Sequence, residues 1–133
     1  MTDAVTDTHA LIWYLEDSPR LGAAARDAFD ASDRGEADIF VPTICLVELV
    51  YLHEKGRIPT DLKARLDAEL QAGTSGLILA ALTFEVANSV ALVPRADIPD
   101  MPDRIIAATA LHLGLPLISR DQRIRRSNVS TIW

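Results

Sequence analysis

Residues 101–121 read "MPDRIIAATALHLGLPLISRD". As far as Leu113 the pattern is helical, and Gly114 supplies a stop; the short apolar run "LPLIS" at 115–119 then has the length and composition of a strand, closed by the charged turn that begins at Arg120. A helix feeding directly into a buried strand is half of a βαβ unit. The same alternation extends outward along the chain. Strand-like runs stand at "AVT" (4–6), "DIFVP" (38–42), "GLILAAL" (76–82) and "VSTIW" (129–133). Between them lie the helical stretches "THALIWYLED", "LGAAARDAFDASDRG", "TICLVELVYLHEKG", "PTDLKARLDAELQAG" and "TFEVANSVALV", with Thr43 and Thr60 available as N-caps and Gly35, Gly56 and Gly73 as stops. Strands alternating with helices imply an α/β domain: a central, mostly parallel five-stranded sheet flanked by helices, three layers α/β/α.

No repeat, linker or low-complexity tract divides the chain, and 133 residues and 14.5 kDa suit one domain spanning 1–133 that buries its own core. The single cysteine, Cys45, is flanked by apolar residues and reads as a small core residue in a reducing compartment. No apolar run approaches the roughly 18 to 20 residues of a membrane span, and the N-terminus lacks the basic start of an export signal, so the expectation is a soluble cytoplasmic protein. A net charge of -6 argues against nucleic-acid binding through bulk positive charge. The distribution is more specific: residues 116–133 carry +3, from Arg120, Arg123, Arg125 and Arg126 against Asp121, while the first 115 residues carry -9. A basic strip beside an acidic body suits a phosphate-bearing substrate, and equally a solvated surface helix.

In a parallel α/β sheet the place for chemistry is the crevice beyond the carboxyl ends of the strands. Asp7 directly follows the first strand, Asp121 closely follows "LPLIS", Asp103 opens the helix before that strand, and Glu48 lies one turn into the helix after "DIFVP". Each has an ordinary alternative. Asp7 and Asp121 can cap helices, Asp103 can stabilise a helix N-terminus, and Glu48 can sit on a narrow polar stripe with Glu54 and Lys55. Glu48 is the hardest to dismiss, because the apolar residues of "ICLVELVYL" (44–52) sweep right round the helix axis and its own helix offers it no partner.

Converging carboxylates call for a cation. Two of them about 4 Å apart repel by roughly 4 kcal/mol at an effective dielectric near 20. Oxygen-only ligands select hard ions such as Mg²⁺ or Mn²⁺. Zinc is disfavoured, since His9, His53 and His112 lack ligand spacing; of the three only His9 lies near the acids.

Four stretches together, "DTHALIWYL", "ICLVELVYL", "MPDRIIAATALHLGLPLISRD" and "VSTIW", resemble the PIN domain, and more narrowly the VapC-type toxins of toxin–antitoxin pairs. The resemblance spans nearly the whole chain. It implies that Asp7, Glu48, Asp103 and Asp121 are the acid quartet that binds Mg²⁺ or Mn²⁺ and hydrolyses RNA phosphodiesters, with Ser119 in the Thr/Ser position that supports the last acid. It also implies a homodimer, silenced by a VapB-like antitoxin whose C-terminal segment covers the active groove. Many such sequences read "D-P-F-D-R" where this chain has "DMPDR"; Pro102 is shifted by one, and Asp100 keeps the spacing of the earlier acid as a supporting group. The arginines at 120, 123, 125 and 126 are candidates for RNA phosphates. The apolar helices bearing Trp13 and Tyr51 offer dimer or antitoxin surface, or core.

Other classes fit less well. A phosphoryl-accepting receiver domain needs an adjacent acidic pair and a late lysine, and a haloacid-dehalogenase-like phosphatase needs D-x-D where "DTH" puts His9. A non-catalytic binding module with vestigial acids is the remaining alternative.

Overall fold

The computed structural model describes residues 2–133. Five short strands, β1 (Ala4–Thr6), β2 (Ile39–Pro42), β3 (Leu77–Ala80), β4 (Leu117–Ile118) and β5 (Thr131–Ile132), form one sheet in the order β3-β2-β1-β4-β5. Every pairing is parallel, so the sheet is wholly rather than mostly parallel. Successive side chains of a strand point to opposite faces, yet Ala4, Val5 and Thr6 are all fully buried. Both faces of the sheet centre are therefore covered, as a three-layer architecture requires.

Among the described residues seven α-helices surround it: α1 (Thr8–Leu15), α2 (Ala23–Asp33), α3 (Thr43–Glu54), α4 (Leu62–Ala72), α5 (Phe84–Ser89), α6 (Met101–Leu113) and α7 (Gln122–Arg125). Leu11 from α1, Phe29 from α2, Leu49 from α3, Leu62 and Leu66 from α4 and Ile106 from α6 are fully buried against Ile39, Leu117 and Ile118 of the sheet. The glycine stops after α4 and α6 are left-handed, with φ of 65° at Gly73 and 66° at Gly114.

Three local expectations are corrected. Thr43 is the first helical residue of α3 rather than its cap, and its hydroxyl donates instead to the Ala80 carbonyl at the end of β3 (3.1 Å). Asp61, not Thr60, precedes α4, and no side chain caps that helix. The stretch "TFEVANSVALV" breaks into α5 and a 3-10 turn at Val90–Leu92, and Arg104 of α6 donates to the carbonyls of Val90 and Val93 around that turn.

The winding determines where a crevice opens. From β1 the chain proceeds outward through β2 and β3, then crosses back to β4 on the other side of β1 and continues to β5. The order reverses between β1 and β4, and beyond their carboxyl ends the connections diverge.

Candidate active site

Asp7 and Ser119 stand at this reversal. The amide of Asp7 extends the ladder to the Ile118 carbonyl (3.1 Å), and Ser119 is paired through its amide to Ile132 of β5. Asp7 is also the N-cap of α1, its Oδ1 accepting from the Ala10 amide at 2.9 Å. Capping and a place in the crevice are compatible, because a cap lies at a helix start and this helix starts at a strand end. Burial raises the Asp7 pKa; the Ala10 amide, Ser119 and His9 pull it down, and Asp121 adds to the rise.

Glu48 finds its partner outside its own helix. Thr8, nearly fully buried at the start of α1, donates its hydroxyl to Glu48 Oε1 at 2.5 Å. This hydrogen bond holds the carboxyl group at the crevice while Cys45 and Leu49, its neighbours on α3, are fully buried. Asp103 lies in the first turn of α6, and its amide is capped by Asp100 Oδ2 (3.3 Å). Burial pushes the Asp103 carboxyl up to about 7, reinforced in turn by the negative charges of Asp100, Asp121, Glu48 and Asp7. Asp121 caps the short α7 through the Arg123 amide (2.8 Å), and its own amide donates to Ser119 Oγ (3.1 Å). Ser119, completely buried, thereby joins Asp7 and Asp121 across the two strand ends.

The four acids line one cleft of about 590 Å³ together with Thr8, His9, Trp13, Arg20, Asp100 and Arg120. Arg120 stacks its guanidinium on Trp13, 4.6 Å from the ring centroid, and Trp13 meets Trp133 edge-on and His9 at a tilt, each at 5.8 Å. Neither Arg20 nor Arg120 pairs with a carboxylate among the described residues.

The arrangement brings together all four principal acids, Asp100, Ser119, Arg120 and His9. The other three basic residues lie elsewhere: Arg123 and Arg126 line a second cleft, and Arg125 lines neither. Arg20, in the loop after α1, was not anticipated; "SPR" carries no motif that would single it out. Trp13 is core, 8% exposed, whereas Tyr51 is 60% exposed on α3. Among the described residues no three His, Cys, Asp or Glu side chains stand close enough to grip an ion directly. The donor set nonetheless fits a hard, partly hydrated cation, since Mg²⁺ keeps several waters and needs only one or two carboxylates. The negative charges that add to the burial-driven rise of Asp103 are the charge such an ion would balance.

Residues 4–129 match the PIN domain family over its sequence model. The chain belongs to the PIN domain family. Along its full length this PIN domain is 30% identical over 136 residues to ribonuclease VapC22 of Mycobacterium tuberculosis, each chain covered completely. Solved structures share the fold at lower identity. VapBC2 from Rickettsia felis, bound to a promoter DNA fragment, superposes with a TM-score of 0.71 at 14% identity, covering 97% of this chain and 96% of the other. A toxin–antitoxin complex from Klebsiella pneumoniae gives 0.67 at 24% identity, with 98% and 96% covered. FitAcB from Neisseria gonorrhoeae gives 0.62 at 22% identity, with 96% and 95% covered. Membership of this family sets aside the receiver and phosphatase alternatives. No helix among the described residues is long and apolar enough to cross a membrane.

Proposed function

We propose that this PIN domain is an endoribonuclease that hydrolyses RNA phosphodiester bonds with the help of Mg²⁺ or Mn²⁺, and that it is the toxin of a toxin–antitoxin pair. The observation that carries the reading is the convergence of Asp7, Glu48, Asp103 and Asp121, with Asp100 beside them, on one cleft at the reversal of the sheet. The full-length relative named as a ribonuclease supports the RNA substrate.

In this reading Asp7, Glu48, Asp103 and Asp121 would hold a hydrated cation, in part through its waters, and Ser119 and Thr8 keep Asp7 and Glu48 directed at the cleft. When bound, such a cation would supply the acidity that activates a water for attack on phosphorus and the positive charge that offsets charge building on the phosphate. Arg120, fixed on Trp13, and Arg20, which line the same cleft, receive the negatively charged phosphodiester. Without these arginines the charged groups lining the cleft would be carboxylates, which repel an anionic strand; the cleft thus combines acids for the ion with arginines for the substrate.

The assembly proposed is a homodimer held inactive in the cytoplasm by a VapB-like antitoxin that covers the cleft. The related toxin–antitoxin complexes support that partner, and the exposed Val47, Val50 and Tyr51 of α3 offer apolar surface.

Asp7→Asn keeps the Ala10 cap and removes the charge, so the variant should fold normally while its RNA cleavage in Mn²⁺ falls at least about a hundredfold, the scale of losing a metal ligand or its support. Wild-type cleavage rates in that variant would overturn the assignment.

A further inference from the structure

The four arginines near the C-terminus do not act as one basic patch. Arg120 belongs to the acid cleft, whereas Arg123 and Arg126 line a second depression of about 380 Å³ with Ala96, Asp97 and Pro99. The two clefts are lined in part by close neighbours in the chain. Asp100 faces the first and its neighbour Pro99 the second; Asp121 faces the first and Arg123 the second, and the Asp121 carboxylate is bonded to the Arg123 amide at 2.8 Å. Two arginines outnumber the single carboxylate, Asp97, and no ion pair ties up Arg123 or Arg126 among the described residues. Both are exposed, while Ile124 between them is buried and anchors the short helix.

We infer that this second cleft is a binding station for a phosphate of the RNA strand flanking the one that is cut, so that the strand passes over Pro99–Asp100 and Asp121–Arg123. The RNA identity of the ligand rests on the endoribonuclease reading above; the station itself rests on the two unpaired arginines and their separation from the acids. Arg125, on the same helix but outside both clefts, takes no phosphate.

Fluorescence anisotropy of a labelled ten-nucleotide oligouridylate, titrated in EDTA over a salt series, separates this from diffuse attraction. Each phosphate contact to a single strand contributes about 0.7 to the slope of log K against log salt. Arg123→Ala with Arg126→Ala should flatten the wild-type slope by about 0.7, the one phosphate that the station holds, whereas Arg125→Ala should leave it at the wild-type value, with circular dichroism showing all variants folded. An equal loss per charge from Arg125→Ala, or no change in the double variant, would overturn the station. Cleavage of the same oligonucleotide in Mn²⁺ is the separate arm: the double variant should show a raised KM with kcat retained. Absence of cleavage by the wild-type protein, on this probe and on total RNA, would count against the ribonuclease reading and leave the salt-slope result standing.

Discussion

Glu48 illustrates how a single residue can be placed by a contact that its own segment does not contain. Within α3 no side chain is available to it, and a carboxylate on a helix that is apolar all round looks misplaced. The partner is Thr8, forty positions earlier in the sequence at the start of α1. Its hydroxyl is almost completely buried, so removing it leaves the carboxylate without the bond that orients it. Thr8→Val should weaken Mn²⁺ binding, measured by isothermal titration, by about tenfold, in line with the 10- to 100-fold losses seen when a ligand's supporting partner is removed. Thr8→Ser retains the hydroxyl and should restore most of the affinity; equal losses in both variants would point to packing rather than to the hydrogen bond. The acids themselves were legible in the sequence, since each stands at a strand end or early in a helix. No local pattern singles out Thr8 as the partner of Glu48, and none singles out Arg20.

At the scale of elements, α1, α2 and the C-terminal strand are locked by one close approach. A Cβ on Gly22 would lie 2.6 Å from the Trp133 backbone carbon and 2.7 Å from its ring, so only glycine lets the chain end pack there. Trp133 in turn meets Trp13, the ring on which Arg120 lies. Gly22→Ala should destabilise the fold by about 1–3 kcal/mol, the usual scale of overpacking, measured by urea denaturation. An unchanged midpoint would show that Trp133 moves aside freely. Helix ends were read less securely than helices. Thr43 and Thr60 have the chemistry of N-caps, but Thr43 is used to tie α3 to β3, and the turn before α4 places Asp61 at the boundary. Such competition between a local cap and a tertiary partner leaves no trace in residue order.

For the whole molecule, gathering carboxylates at the sheet reversal makes stability depend on pH in an unusual direction. Asp103 titrates at about 7 in the fold against 3.8 for the ordinary group, and Asp7 is also raised. Between these values the folded protein holds protons that the unfolded chain has released, so this contribution to stability is present below about pH 4 and is lost as pH rises through about 7. Metal-free protein should therefore lose melting temperature from pH 5 to pH 8 through these groups, and Asp103→Asn should flatten the profile in differential scanning fluorimetry. Mn²⁺ should restore the melting temperature more at pH 8 than at pH 5, where protons compete with it. A profile identical in the wild type and the variant would remove Asp103 from the shared cluster.

Strand and helix order, the parallel sheet and the four acids all follow from patterns within a few residues: apolar period, glycine stops and carboxylates at element ends. Each depends on near neighbours, and near neighbours are what residue order records. The division of the arginines between two clefts, the bond from Thr8 to Glu48 and the seating of Arg120 on Trp13 depend on segments tens of residues apart meeting at the β1–β4 reversal. Side-chain direction there is set by packing across the sheet, and no local pattern encodes it.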